Sequence, residues 1–332
     1  MSSPTRVGLI GLSGTPPNEY EDLAADKDVD LVVCSVRVDR HFLTVRPSII
    51  AGKTIFVEWP LEKNVAVARE MESLALKHNA KTIVGAQGSF DPYVRKIREI
   101  IDSGRIGKFL SSNIYGALGN AGPTESKNVR YFLNREVGGN VVTIRFGHAT
   151  EFVTAAFGEF KIWHSLLSNR LTTKDIVDSS QNKTIIKSAP NDVPDQIMLQ
   201  AFVGSSNAPL TLHFRGGSTF PGTPATDWRI QGSKGELRLT SSSESLNVGR
   251  EDTKLELYDA ETGKVEVIVP ERDEWDGLRL QARNIAREYE AWRKGEWVPD
   301  FTWAVKRHEM IEGMWKKYDE DLVRLERMGA SG

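Results

Sequence analysis

The residues best suited to chemistry are Arg145 and His148, three apart in a stretch, 141–157, whose pattern predicts a helix opened by Gly138-Gly139-Asn140. An imidazole titrates near neutral pH, so His148 is the candidate acid or base; the competing reading is a structural histidine satisfied inside a core. Arg145, one turn earlier, would suit an anionic substrate, although most exposed arginines make no specific contact. Glu58 and Trp59 follow directly on the apolar run Thr54-Ile55-Phe56-Val57. Glu58 can meet a ligand or cap a helix, and the Trp59 ring can stack on a ligand ring or simply pack. His41 comes in the first turn after a loop at 35–38, where it would reach a phosphate or else lie on a helix surface. His164 and Asp195 offer little beyond their positions, and metal-ligand spacing is absent.

These residues need a frame that brings strand ends together. The runs 28–36 and 54–61 are short, β-branched and non-alternating, with one helical stretch between them, as expected of parallel strands buried on both faces. Ligands of open α/β sheets bind beyond the carboxyl ends of the strands, which puts 35–37 and 58–61 at the expected site. Residues 6–14 read as a first strand running into a glycine turn, with Gly8, Gly11 and Ser13 as candidates for cofactor contact. The alternative is a plain strand-ending turn. Thr15-Pro16-Pro17 leaves only 18–25 to form a helix, and no acidic residue stands where a ribose would be held. One short crossover fits before Val29, so the first strand becomes an exposed sheet edge.

A helix at 64–79, a strand at 82–87 and a helix at 92–103 complete a first domain, 1–107. In the second, 108–332, strands are expected at 109–115, 161–168, 197–203, 210–215, 228–231, 236–240, 254–258 and 264–269. Several alternate apolar and polar residues, the pattern of an antiparallel sheet with one covered face. Helices at 276–294 and 305–327 close the chain. The expected class is α/β plus α+β: a truncated parallel sheet, then an open, mostly antiparallel sheet with helices.

Composition narrows the function. The 332 residues are 39% hydrophobic and 27% charged, ordinary for a globular chain, and a net charge of −2 without a basic block argues against nucleic-acid binding. Cys34, the single cysteine, falls in a predicted buried strand and reads as packing. No apolar leader or membrane-length apolar run occurs, so no membrane association and a cytoplasmic location are expected.

Six motifs occur in order: Phe56-Val57-Glu58-Trp59-Pro60-Leu61, Gln87-Gly88, Ser103-Gly104-Arg105-Ile106-Gly107, Phe146-Gly147-His148, Phe214-Arg215-Gly216-Gly217 and Gly232-Ser233-Lys234-Gly235-Glu236-Leu237. With them the chain resembles the Gfo/Idh/MocA oxidoreductase family, in the branch of the fungal galactose-pathway repressor. The resemblance implies a Rossmann-like domain, here shortened after Gly14, and a C-terminal sheet often used to form homo-oligomers. It implies NAD or NADP at Gly8, Gly11, Ser13, Ser35, His41, Glu58, Trp59 and Gln87. It further implies hydride transfer on a carbonyl or alcohol, with His148 as acid or base and Trp59 and Arg145 beside a small-molecule substrate, and fits a fungal secondary-metabolite pathway. Two departures stand out. Trp59 replaces the lysine that assists proton transfer in the enzymes, and Ile144 replaces the acid four residues before the histidine, leaving His148 without that partner. A non-catalytic regulator, or a cofactor-free cyclase or isomerase using His148, are the other readings.

Overall fold

The structure, a computed structural model, describes residues 5–11, 18–119, 121–246 and 249–329. Its first sheet has four parallel strands in the order of the chain: β1 (Val7–Ile10), β2 (Leu31–Cys34), β3 (Thr54–Glu58) and β4 (Thr82–Gly85). The crossovers are α1 (Asn18–Ala25), α2 (His41–Ile50) and α3 (Val65–Lys77), and α4 (Pro92–Asp102) follows β4. Asn64 caps α3 by accepting the Val67 N–H, and Asp91 caps α4 from Tyr93, with Pro92 in the first turn. Successive residues of the strands point to opposite faces. Val32, Cys34, Ile55, Val57 and Val84 enter the main core, while Leu31, Val33, Phe56 and Ile83 form a second cluster on the other face. Cys34 is fully buried, with Sγ 3.4 Å from Thr44 Oγ1, and burial pushes its thiol up to about 11. As expected, β1 is an edge; Val7 and Leu9 are exposed.

The chain continues through β5 (Phe109–Leu118), β6 (Thr124–Ser126), a π-helical turn (Val141–Phe146), α5 (Gly147–Phe157), β7 (Phe160–Ser168), β8 (Thr173–Asp178) and β9 (Lys183–Pro190). Then follow β10 (Gln196–Val203), β11 (Ala208–Gly216), β12 (Thr226–Gly232), β13 (Gly235–Ser241), β14 (Lys254–Asp259) and β15 (Val265–Ile268). Eight of these strands form a sheet ordered β15-β14-β13-β12-β5-β11-β10-β7, antiparallel except at β5–β11. The three-stranded sheet β6-β8-β9 is absent from the sequence reading. The last helices, α6 (Leu280–Arg293) and α7 (Phe301–Gly329), return to the first sheet. On α6, Ile285 and Tyr289 cover its second cluster, and the Val84 N–H donates to the Pro299 carbonyl at 2.8 Å, so the chain before α7 shields β4.

Helix α5 lies against the large sheet. Trp228, on β12, is fully buried, with its ring 5.3 Å from Phe152 and 5.5 Å from Phe157, and its Nε1 donates to Ser112 Oγ at 2.9 Å. The expected helix over 141–157 opens instead as a π turn, whose first N–H groups, on Val142 and Thr143, are capped by Asn140 Oδ1. Trp228→Ala removes the ring and its hydrogen bond to Ser112, whose Oγ keeps its bond to the Arg229 carbonyl. Urea unfolding should show a loss of about 3–5 kcal/mol.

Candidate active site

Helix α5 opens with Gly147 and His148, and Glu151, three residues on, returns to the same side of the helix. His148 Nδ1 lies 2.9 Å from Glu151 Oε2, with the two side chains 13% and 1% exposed. The other carboxyl oxygen accepts the N–H groups of Gly88 and Ser89, the latter at 3.2 Å, just beyond the carboxyl end of β4. The strand end holds the carboxyl group, and the carboxyl group orients the imidazole. The expectation that His148 lacks a carboxylate partner is thereby corrected: the partner stands three residues after it instead of four before.

Burial governs the protonation of this pair. It pushes His148 down to about 4, with Glu58 opposing and Arg145 reinforcing the shift. The same desolvation raises Glu151 well above the carboxylate range, against the Ser89 N–H. Both shifts favour an uncharged pair that shares a proton between Oε2 and Nδ1. Glu58, at the end of β3, is also raised by burial. A third glutamate, Glu288 on α6, is fully buried, and neither carboxyl oxygen has a hydrogen-bond partner of normal geometry. The nearby Ala86 N–H is engaged by the Val84 carbonyl at 2.6 Å. Burial first, then Glu151 and Glu58, raise the Glu288 carboxyl well above its usual range. Among the described residues none of these three pairs with a lysine or arginine, and no group of three or more His, Cys, Asp or Glu is placed to hold a metal ion.

Several predicted contacts fall elsewhere. Trp59 is 5% exposed: its Nε1 donates to the Thr143 carbonyl at 2.9 Å, and its ring packs against Trp303 and His308. It is therefore a wall behind the site and not a platform for substrate or cofactor. A Cβ on Gly147 would come 2.4 Å from Trp59 Nε1, so the tryptophan and the glycine before His148 require one another. His41 is buried too, with its ring nitrogens 3.1 and 3.0 Å from the Leu61 and Val36 carbonyls, which removes it from any phosphate.

Gly8 and Gly11 provide close packing instead of an open cradle. A Cβ on Gly8 would lie 2.4 Å from Leu23 Cδ1, and one on Gly11 2.3 Å from the Ser35 carbonyl oxygen. Ser13 lies outside the described residues, and Ser35 is exposed at the end of β2, where its N–H donates to the Ile10 carbonyl. Gln87 and Glu58 remain as the residues able to hold a cofactor, since Gln87 Oε1 is buried without a partner. Arg145 turns away from His148 to Ser245 Oγ at 3.0 Å and Glu244 at 3.4 Å. Of the groups that sequence reasoning missed, Glu151 carried a signal in its i, i+3 spacing from His148. Glu288 carried none.

Both parts of the chain match known proteins. Residues 10–86 match a family profile described as oxidoreductase family, NAD-binding Rossmann fold, and 92–241 match the Gal80p C-terminal domain. The chain is thus similar to the Gfo/Idh/MocA oxidoreductases in its first part and to Gal80 in its second. It is 29% identical over 95% of its length to a dehydrogenase of Aspergillus oryzae, aclE, covering 84% of that protein. It is 28% identical over 66% of its length to the galactose/lactose metabolism regulatory protein GAL80 of Saccharomyces cerevisiae, covering 52%, about half, of that regulator. In fold it matches a super-repressor mutant of Gal80p from Saccharomyces cerevisiae with a TM-score of 0.80 at 22% identity, over 91% of this chain and 81% of that one. Levoglucosan dehydrogenase in complex with NADH and L-sorbose matches at 0.72 and 16%, over 91% and 80%.

The unpartnered carboxyl of Glu288 gives stability a pH dependence. Its unfolded value is near 4.5 and its folded value higher, so on raising the pH the unfolded chain releases this proton first. The group's contribution is fully present below about 4.5 and is lost as pH climbs through the folded value. Glu288→Gln removes that loss. Urea unfolding should show the variant about 1 kcal/mol or more stabler than the wild type at alkaline pH, the difference closing as pH falls towards the unfolded value. A variant less stable than the wild type at alkaline pH would contradict this.

Proposed function

We propose that the protein is an NAD(H)-linked oxidoreductase acting on a carbonyl or alcohol, with His148 and Glu151 moving the proton. The buried contact of His148 Nδ1 with Glu151 Oε2, anchored on the Gly88 and Ser89 N–H groups, carries this reading. Its neighbours support it: the family profile describes NAD binding, one relative is a dehydrogenase, and one solved neighbour holds NADH. The nicotinamide, when bound, supplies or accepts the hydride. Glu58 and the unpartnered Gln87 Oε1, at the ends of β3 and β4, are the groups that would hold it, Gln87 Oε1 as an acceptor for an amide N–H.

In the reducing direction Nε2–H of His148 gives its proton to the oxygen that becomes the alcohol. The Glu151 proton crosses to Nδ1, so the imidazole stays neutral, and the resulting carboxylate keeps the two backbone N–H bonds. Oxidation runs the same transfers in reverse. A neutral imidazole suits this task, because a buried imidazolium would be far costlier than the neutral pair.

One observation favours a second reading, a non-catalytic regulator like GAL80. Trp59 stands where the enzymes carry lysine, and its buried ring brings no proton to the site. Turnover decides. NADH at about 100 times its dissociation constant should stabilise the protein by about 2.7 kcal/mol in thermal unfolding. His148→Gln should keep that shift while lowering kcat by about 10²–10⁴. The absence of any shift with NAD+ or NADH would sink the oxidoreductase reading, and a shift without turnover of any carbonyl or alcohol would favour the regulator.

A further inference from the structure

Beyond the carboxyl end of β2, where residues 35–37 are expected to meet a ligand, lies a crevice of about 560 Å³, the size of a small-molecule site. Its lining includes Arg37, Lys127, Arg130, Tyr131 and Asn134, and none of the lining residues is acidic. The segment that carries the last four is pressed onto the strand ends. A Cβ on Gly139 would come 3.0 Å from Tyr131 Cε2 and 3.1 Å from Val38 Cγ1, and one on Gly138, at φ +79°, 2.3 Å from Lys63 Cα. Residues 131–139 thus close over the chain as it leaves β2 and β3.

Two of the three cations are fixed from behind. Arg37 donates from Nε and Nη2 to the Asp39 carboxylate at 2.5 and 2.7 Å, and its guanidinium carbon lies 5.6 Å from the centre of the Tyr131 ring. Lys127 Nζ lies 2.5 Å from Asp178 Oδ2. Both cationic side chains are 42% exposed, against 22% and 5% for their acids, so each pair turns its positive end outward. Among the described residues Arg37 Nη1 has no partner, and the Lys127 ammonium spends one donor on Asp178. Arg130 is exposed and, among the described residues, is in no ion pair. Three cations with donors to spare therefore border one space that has no acid in its wall. A carboxylate is satisfied by a single arginine fork, whereas a tetrahedral phosphate, with three acceptor oxygens and up to two charges, answers all three.

We propose that this crevice binds a phosphate group between Arg37, Lys127 and Arg130. Two ligands carry such a group. One is the dinucleotide, whose phosphates find no open cradle at the closely packed Gly8 and Gly11. The ends of β2 and β4 are two strand spacings apart, roughly 10 Å, which sets this crevice and the groups at Glu58 and Gln87 along the same end of the sheet. The other is a phosphorylated substrate. The binding stands without the oxidoreductase reading, and only the first source rests on it.

Backbone amide NMR of the full chain, titrated with inorganic phosphate and with acetate at constant ionic strength, tests this. Phosphate should give saturable shifts at Arg37, Lys127 and Arg130 and bind at least about tenfold more tightly than acetate. Arg130→Gln, at an exposed position, should weaken phosphate about fivefold or more with its circular dichroism unchanged, and Lys127→Met should do the same. Should Lys127→Met fail to fold, because Asp178 loses its partner, Arg130→Gln decides alone. Shifts that do not saturate, saturable shifts at other residues only, equal affinity for acetate, or undiminished phosphate affinity in Arg130→Gln would overturn the proposal. Adding NADH separates the sources: displacement of phosphate from the crevice assigns the site to the cofactor, and joint binding assigns it to a substrate. Phosphate binding without any NADH binding removes the oxidoreductase reading and keeps the phosphate site. NADH binding without phosphate shifts does the opposite.

Discussion

The burial of one face of the parallel sheet by α6 is the contact on which the rest depends. Four parallel strands are apolar on both sides and cannot leave either in water. The N-terminal segment supplies α1, α2 and α3, and the residues of α2 and α3 fill one side with Val45, Ile49, Ala68 and Met71. Among the described residues it supplies no cover for the other side, and Leu31, Val33, Phe56 and Ile83 are closed by Ile285, Tyr289, Trp292 and Val298 from the far end of the chain, with Tyr289 5.1 Å from Phe56. The second face of the small sheet is therefore closed only with the C-terminal helices in place.

The same packing brings Glu288 in. It precedes Tyr289 on α6, and a helix docked by its apolar face carries its neighbouring residue to the carboxyl ends of β3 and β4. Three elements far apart in the chain thus each add a carboxyl group to one water-poor place: Glu58 from β3, Glu151 from α5 and Glu288 from α6. Among the described residues no lysine or arginine pairs with them, and burial pushes all three towards the neutral form.

Much of this frame is legible in the residues, because buried parallel strands and amphipathic helices have periods that a single chain displays. The strands at 31–34 and 54–58, the short helix Asn18–Ala25 and the exposed first edge follow from them. The strands β8 and β9 do not, since Thr-Lys-Asp-Ile-Val-Asp hides Lys174 and Asp178 at positions where apolar residues would mark a covered face. The π turn at 141–146 leaves no compositional mark, and it rotates Arg145 away from the side that His148 occupies. His41 reads as a surface residue until two backbone carbonyls, at Val36 and Leu61, are found on its ring. Glu151 was readable by spacing; Glu288 and the Trp59–Gly147 contact depend on tertiary packing that no local pattern encodes.

The two margins of the parallel sheet are unlike. The chain at Pro299 occupies the margin of β4, while among the described residues β1 pairs with β2 alone and presents Val7 and Leu9 to solvent. A ribbon with one closed and one open border can be extended once, by a strand laid along β1, and then has no free border left unless the newcomer provides it. Two copies meeting through this border would exhaust each other's, so this sheet is self-limiting: it can be a hinge of symmetry but not the seed of a fibre.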